Sequence, residues 1–388
     1  MDLRKHGMLV RMKTCMPLLL VLPVLALAQG EEKRALRNLP PAPKGGRFAA
    51  LTDFVWPEKP GDADICLWKD DKFAACSITI DDNCAPDHDW WLEQAEKHGF
   101  KLTWFVITDR VDGPNGFDGT WAGWQRLADA GHSIQSHTTN HKHGKNSETP
   151  LTEEQLRAMY KDSLDAINAH VTNNVACCIA YPSGDAHADI AKDYAIACRG
   201  VGGAPSTANG VNYLNTDIGG FGQGCADVLL TGHTDAGPAW LNKADRRYLR
   251  GWIIPLSHLV HWGKTPDVQA ESAEKMAKQL EYLGKNGDRF WFGTFDTVAK
   301  YGQERDTAEL KTVSVAANSI EFSLVDRMDD TLFNVPLTVK VRLPDGWKDA
   351  SARQGDAVAP CRVVEHDGAR FALVDAVPDR GAVFVKQK

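Results

Sequence analysis

From about residue 63 to 308 short apolar runs alternate with amphipathic stretches of helical period, and after 309 the pattern changes to closely spaced β-prone runs. Residues 74–80 read as a strand. Residues 86–98 read as a helix with proline in its first turn and Gly99 just past its end. A strand over 102–107, a helix over 121–130 closed by Gly131 and a strand over 132–136 follow. Thr152-Glu153-Glu154-Gln155 is a capping box, which predicts a long helix to about His170. The alternation continues as strand 176–181, helix 189–198, strand 252–256, helix 268–283, strand 290–294 and helix 296–301. Repeated βα units predict a parallel sheet with its helices outside. Beyond residue 309, runs at 313–315, 320–324, 337–343, 361–364 and 382–385 are separated by turn signals such as Pro344-Asp345-Gly346 and His366-Asp367-Gly368. They predict a small antiparallel β-sandwich.

The N-terminus changes the compartment expected. Arg4, Lys5, Arg11 and Lys13 precede an apolar run over 16–27, which is short for a bilayer span, and Ala26-Leu27-Ala28 offers a cleavage site before Gln29. Residues 1–28 therefore read as a signal peptide and the product as secreted or periplasmic, with no stable membrane insertion after cleavage. Residues 29–62, rich in charge, proline and glycine, read as a leader. The expected domains are 63–308 and 309–388. The chain's 388 residues accommodate both.

Composition narrows the partners. A net charge of −7 argues against nucleic acid or an anionic membrane as the main partner. Twelve tryptophans are many; most are expected in cores, and some, such as Trp104, Trp121 and Trp262, could instead stack on sugar rings. Of nine cysteines, Cys15 falls in the signal peptide. The remaining eight show no CxxC pair, and no disulfide pairing can be assigned from their spacing.

Two polar clusters at the ends of apolar runs carry the chemistry. One is Thr79-Ile80-Asp81-Asp82-Asn83. The other is His137-Thr138-Thr139-Asn140-His141, extended by His143. An i, i+4 histidine pair on one face of a helical turn can reach a single cation, and a carboxylate completes a three-ligand set that leaves a position open. Adjacent aspartates at a strand end point different ways, so one can bind metal while the other faces a substrate water.

These clusters resemble those of the polysaccharide deacetylases of the NodB-homology group, carbohydrate esterase family four. The family's T-F-D-D-G motif reads Thr79-Ile80-Asp81-Asp82-Asn83, and H-[ST]-x-x-H is matched by His137 to His141. The P-x-G element appears in Tyr181-Pro182-Ser183-Gly184, and L-x-H in Leu256-Ser257-His258. The resemblance covers about 63 to 308. It implies an α/β fold, a distorted (β/α) barrel, here with the β-sandwich appended. It also implies a metal-dependent deacetylase hydrolysing N- or O-acetyl groups on a polysaccharide or oligosaccharide, such as N-acetylglucosamine polymers or acetylxylan. By resemblance Asp82, His137 and His141 hold a divalent metal, zinc first, with cobalt or nickel also suited to the ligand set. Asp81 is the general base, His258 the general acid, and the Ser183 backbone N–H an oxyanion donor. His261 rivals His258, and Asp217 could orient His258. The arginine that many members carry two residues before the motif-three proline is absent, since that position is Ala180. A small-amide amidohydrolase and a catalytically silent carbohydrate-binding protein are the alternative readings.

Overall fold

The computed structural model describes residues 54–142, 150–208, 210–235 and 246–388. The expected signal peptide, the leader up to residue 53 and His143 lie outside the described residues. Ten short strands come first: β1 Ala63–Ile65, β2 Ala74–Cys76, β3 Ile78–Ile80, β4 Leu102–Val106, β5 Ser133–Ser136, β6 Cys178–Ala180, β7 Ala197–Arg199, β8 Trp252–Ile253, β9 Leu256–Ser257 and β10 Phe290–Phe292. The helices are α1 His88–His98, α2 Trp121–Asp129, α3 Glu153–His170, α4 Ala188–Ala191, α5 Gln223–Thr231, α6 Pro266–Lys285 and α7 Phe295–Thr307. The capping box of α3 forms as the sequence predicts, with Thr152 and Gln155 bonded reciprocally.

Strands β7-β6-β5-β4-β3-β9 make one parallel sheet and β10-β2-β8 a second. They are parts of one barrel. The run 74–80 is interrupted at Ser77, and the run 252–257 at Ile254 and Pro255, where proline withholds a ladder N–H. Each sheet takes one half of each run. The gap between β8 and β7 is closed by irregular chain rather than by a strand. There Thr216 bonds to Cys198 and Gly200, while Ile218 bonds to Gly202 and Ile254. This is the distorted barrel the motifs imply.

Strand periodicity sorts the side chains into two cores. Ile78, Ile80, Leu102, Trp104 and Ile134 face the helices, while Ala75, Phe105, Cys178, Ala180, Ala197 and Trp252 face the barrel interior. The interior core runs on into the C-terminal module through α7. Phe295 stacks on Trp252 with centroids 5.3 Å apart and meets Phe105 edge-on.

The C-terminal strands are β11 Glu309–Val315, β12 Ser319–Val325, β13 Leu337–Arg342, β14 Ala350–Gln354, β15 Ala357–Ala359, β16 Cys361–His366, β17 Ala369–Ala376 and β18 Val383–Gln387. They form two antiparallel sheets, β1-β13-β17-β16 and β11-β12-β18-β14-β15, which make the expected sandwich. Strand β1 corrects the boundary drawn at residue 63. It pairs with β13 and so belongs to the sandwich sheet rather than to the barrel. Lys340 of β13 pairs with Asp71 at 2.6 Å across the junction, and Thr338 accepts from the Asp70 N–H.

The structure departs from the sequence pattern at two helices. Residues 189–198 are not one helix: a single turn, α4, is followed by strand β7. Helix α5 was not signalled by the pattern. Trp104 is fully buried in the core, and Trp121, partly buried, stacks on His170. No disulfide forms among the described residues, and seven of the eight cysteines they include are buried. No helix among the described residues is long and apolar enough to cross a membrane.

Candidate metal centre

The candidate residues gather at the C-terminal ends of the barrel strands, the end where βα barrels build sites. Asp81 follows β3 in register with the inward residues Ala75, Ser77 and Thr79, so its side chain points into the barrel and is 2% exposed. The chain then turns through three consecutive left-handed residues, Asp82, Asn83 and Cys84. Asn83 fixes that turn. Its amide accepts from the Ile107 N–H at 2.7 Å and donates to the carbonyls of Ile107 and Asp118. Asn tolerates this geometry better than most side chains, which is how it stands where the family has glycine.

His137 and His141 do not share a helical turn. His137 ends β5, and the loop after it passes through left-handed Thr138 and His141. The loop still brings the imidazoles together, with centroids 4.6 Å apart. The Nδ1 of His137 lies 2.9 Å from the Ala180 carbonyl. A carbonyl only accepts, so that nitrogen carries the proton and Nε2 presents its lone pair. This Nε2 lies 3.6 Å from Asp82 Oδ1, and His141 Nε2 lies 3.5 Å from the same oxygen. Ligand atoms of Asp82, His137 and His141 all fall within 4.8 Å of one another. Asp82 Oδ1 is buried and receives no hydrogen bond among the described residues. A buried acceptor facing two imidazole nitrogens, with no donor between them, fits a cation and wastes desolvation without one.

Around this set, His258 Nε2 stands 3.7 Å from Asp82 Oδ2, with its side chain 55% exposed at the rim. Ser183 follows β6 at the same rim in a left-handed turn, with φ of 50°. His261 is turned to another task. Its Nδ1 lies 2.5 Å from Asp87 Oδ1, and the other Asp87 oxygen accepts from the Val260 N–H. Asp217 lies against Gly202, where an added Cβ would meet its carboxylate, and makes no bond to His258 among those described.

The residue that sequence reasoning missed is Arg199. It ends β7 fully buried, and its guanidinium pairs with Asp81 Oδ2 while lying 5.2 Å over the Phe105 ring. In the sheet register its partner on β6 is Ala180, the position where the family's arginine was expected. The guanidinium is therefore present but comes from the neighbouring strand. Burial alone would raise the Asp81 carboxyl, but Arg199 and then His137 outweigh it, and Asp81 is held below the ordinary carboxylate range. Burial lowers His137, which keeps it neutral as a ligand must be. A cleft of about 620 Å³ opens over the centre, with Asp82, Arg110, Phe117, His258 and Trp262 in its lining.

Residues 69–197 match the family described as polysaccharide deacetylase, so the resemblance holds for the segment carrying three of the four motifs. A gellan lyase of a Bacillus species is 38% identical over 363 residues, 90% of this chain. The chain spans 14% of that protein's length. Among solved structures, a Streptococcus pyogenes deacetylase in complex with acetate is 24% identical, with a TM-score of 0.32 over 36% of this chain and 61% of that one. A carbohydrate esterase family four pseudoenzyme of Bacillus anthracis is 17% identical, with a TM-score of 0.36 over 58% and 66% of the two chains.

Proposed function

We propose, on the premise that residues 69–197 are a polysaccharide deacetylase domain of the NodB-homology group, that this chain is a secreted metal-dependent hydrolase removing N- or O-acetyl groups from a polysaccharide or oligosaccharide. The single observation that carries the reading is the convergence of Asp82, His137 and His141 beside a second, unligated carboxylate, Asp81. Asp82, His137 and His141 would hold the ion, zinc by the N/O character of the set. When bound, such an ion acidifies water and polarises a carbonyl.

The chain's own groups supply the proton traffic. Asp81, kept ionised by Arg199, accepts a proton from the attacking water. His258, half-exposed at the rim, donates one to the departing amine or alkoxide. Ser183 sits in a left-handed turn at the rim, and its backbone N–H would donate to the oxygen that gains charge. His137 is oriented by the Ala180 carbonyl, so its ligating nitrogen needs no rearrangement.

A glycan suits the cleft better than a small cyclic amide, because it is open and carries a tryptophan that is 71% exposed. The gellan lyase relative supports a polysaccharide as the polymer. The basic, apolar and small-residue order of residues 1–28 supports export.

The test is acetate release from acetylxylan, chitin oligomers and peptidoglycan by the purified chain, with zinc or with chelator. Chelator and Asp82→Ala should each abolish turnover, and Asp82→Ala should also lower bound zinc per chain. Acetate release that survives both would defeat the metal mechanism.

A further inference from the structure

We infer that the cleft over the metal centre is built for a glycan bearing carboxylates, with Arg110 holding a uronate beside the acetylated sugar and Trp262 stacking on a ring. The reaction half of this rests on the deacetylase reading above; the binding half does not.

The cleft's lining sets the chemistry. Asp82 and His258 already belong to the centre, and Ser257 carries the only hydroxyl in the described lining. The one remaining charged side chain in the described lining is Arg110. It is exposed, and its side chain makes no hydrogen bond or ion pair with any described residue. The carboxylate that feels it, Asp118, is buried and does not pair with it. A guanidinium offers five donors in a planar fork and no acceptor. Sugar hydroxyls are commonly met by groups that both donate and accept, and no Asn or Gln is among the described residues that line this cleft. A carboxylate is the ligand whose geometry uses the whole fork.

Both walls are fixed to the site. Arg110 ends a short turn after β4, whose Thr108 and Asp109 N–H groups bond to the carbonyls of Thr138 and Thr139, in the loop that carries the histidine pair. Trp262 follows His258 in a loop pinned by buried Asp87, which accepts from the Val260 N–H, the His261 N–H at 3.4 Å and the His261 ring. An indole held out in water beside an acid–base group offers a flat apolar face to a sugar at little ordering cost. The chain as a whole is anionic, so a polyanion gains no help from the overall field. Recognition must then come from the local fork.

The experiment uses the zinc-loaded full chain and two matched substrate pairs. Hyaluronan and chitin oligosaccharides share N-acetylglucosamine and differ in the uronate; O-acetylated alginate and O-acetylated xylan oligosaccharides make the same contrast for esters. Acetate release is measured for wild type, Arg110→Ala and Arg110→Lys. Binding of the unacetylated uronate oligosaccharide is measured by calorimetry at low and high salt. Within the pair that is turned over, the uronate member should have a kcat/KM about tenfold higher, as expected for one charge-assisted contact. Arg110→Ala should erase that ratio through KM and weaken calorimetric binding, with Arg110→Lys between. Acetate release with no uronate preference, or with a preference untouched by Arg110→Ala, overturns the subsite and leaves the deacetylase reading standing. Arg110-dependent uronate binding without any acetate release supports the subsite and removes the deacetylase reading instead.

Discussion

Two buried carboxyls at opposite ends of the barrel have opposite fates. Asp81, at the upper rim, is held ionised, below its ordinary range, against the cost of burial. Glu304, at the end of α7 where barrel meets sandwich, is fully buried too, and its carboxyl is pushed up to about 9. Burial acts the same way on both. The difference lies in the neighbours. Asp81 touches a guanidinium committed to it, whereas burial of Glu304 is compounded by Asp326 and only partly offset by the Val335 N–H and Lys300. One end of the barrel therefore keeps a charged, reactive acid, and the other keeps a neutral one that packs.

The comparison breaks most visibly if the rim charge is removed while its shape is kept. Asp81→Asn should bind zinc as wild type does, because Asp81 is not among the three converging ligand groups. Its turnover should fall about 10²–10⁴-fold, the span that general-base deletion covers. Zinc titration followed by acetate kinetics on the same sample checks both halves. Loss of zinc in this variant would mean that Asp81 and Asp82 exchange roles.

The next test moves the guanidinium rather than the carboxylate. Arg199→Ala leaves Asp81 buried without a counter-charge, which should cost about 3–5 kcal/mol of stability and much of the turnover. Ala180 is the register partner of Arg199, so Ala180→Arg in the Arg199→Ala background returns a guanidinium to the same inward layer from the adjacent strand. Partial recovery of kcat, with the stability restored, is expected. Arg199→Lys should recover less, because an ammonium cannot reproduce the planar fork. If the relocated arginine restores stability but no turnover, Arg199 braces the barrel without serving the base.

How much of this was legible follows from range in sequence. Asp81, Asp82 and the histidines announce themselves within five-residue clusters, and the capping box of α3 sits within four. The Asp81–Arg199 pair spans 118 residues and has no local signature. Arg199 was also hidden by a wrong period: the alanines and charges of 189–198 imitate a helix, while the strand that wins, β7, is three residues long. A run that short is fixed by burial against β6 and the 213–216 segment, not by its own pattern. The arginine set between Cys198 and Gly200 was the available hint, a charge at the end of an apolar run followed by glycine. For the same reason β1 was assigned to the wrong module, since only its pairing with β13 reveals where it belongs. The histidine loop shows the converse: the spacing was informative although the helical turn invoked for it does not form.

The smallest effect is at the lower end, where Glu304→Gln repeats the isosteric change made at Asp81. The sign follows from linkage. A carboxyl raised from 4.5 to about 9 on folding contributes stability that is complete below pH 4.5 and is lost as pH rises through about 9. Across that window the unfolded chain has released the proton and the folded chain still holds it. Wild-type stability therefore falls with pH on account of this group. Glutamine has no proton to lose and can still accept from the Val335 N–H, which lies 3.3 Å from Glu304 Oε2. Glu304→Gln should thus melt higher than wild type at pH 8, by at least about 1 kcal/mol, with the gap closing toward pH 4 and deacetylation unaffected. Thermal melts across that range decide it. A variant less stable at every pH would mean that Glu304 is ionised and paired with Lys300, and the two carboxyls would then differ in location but not in charge.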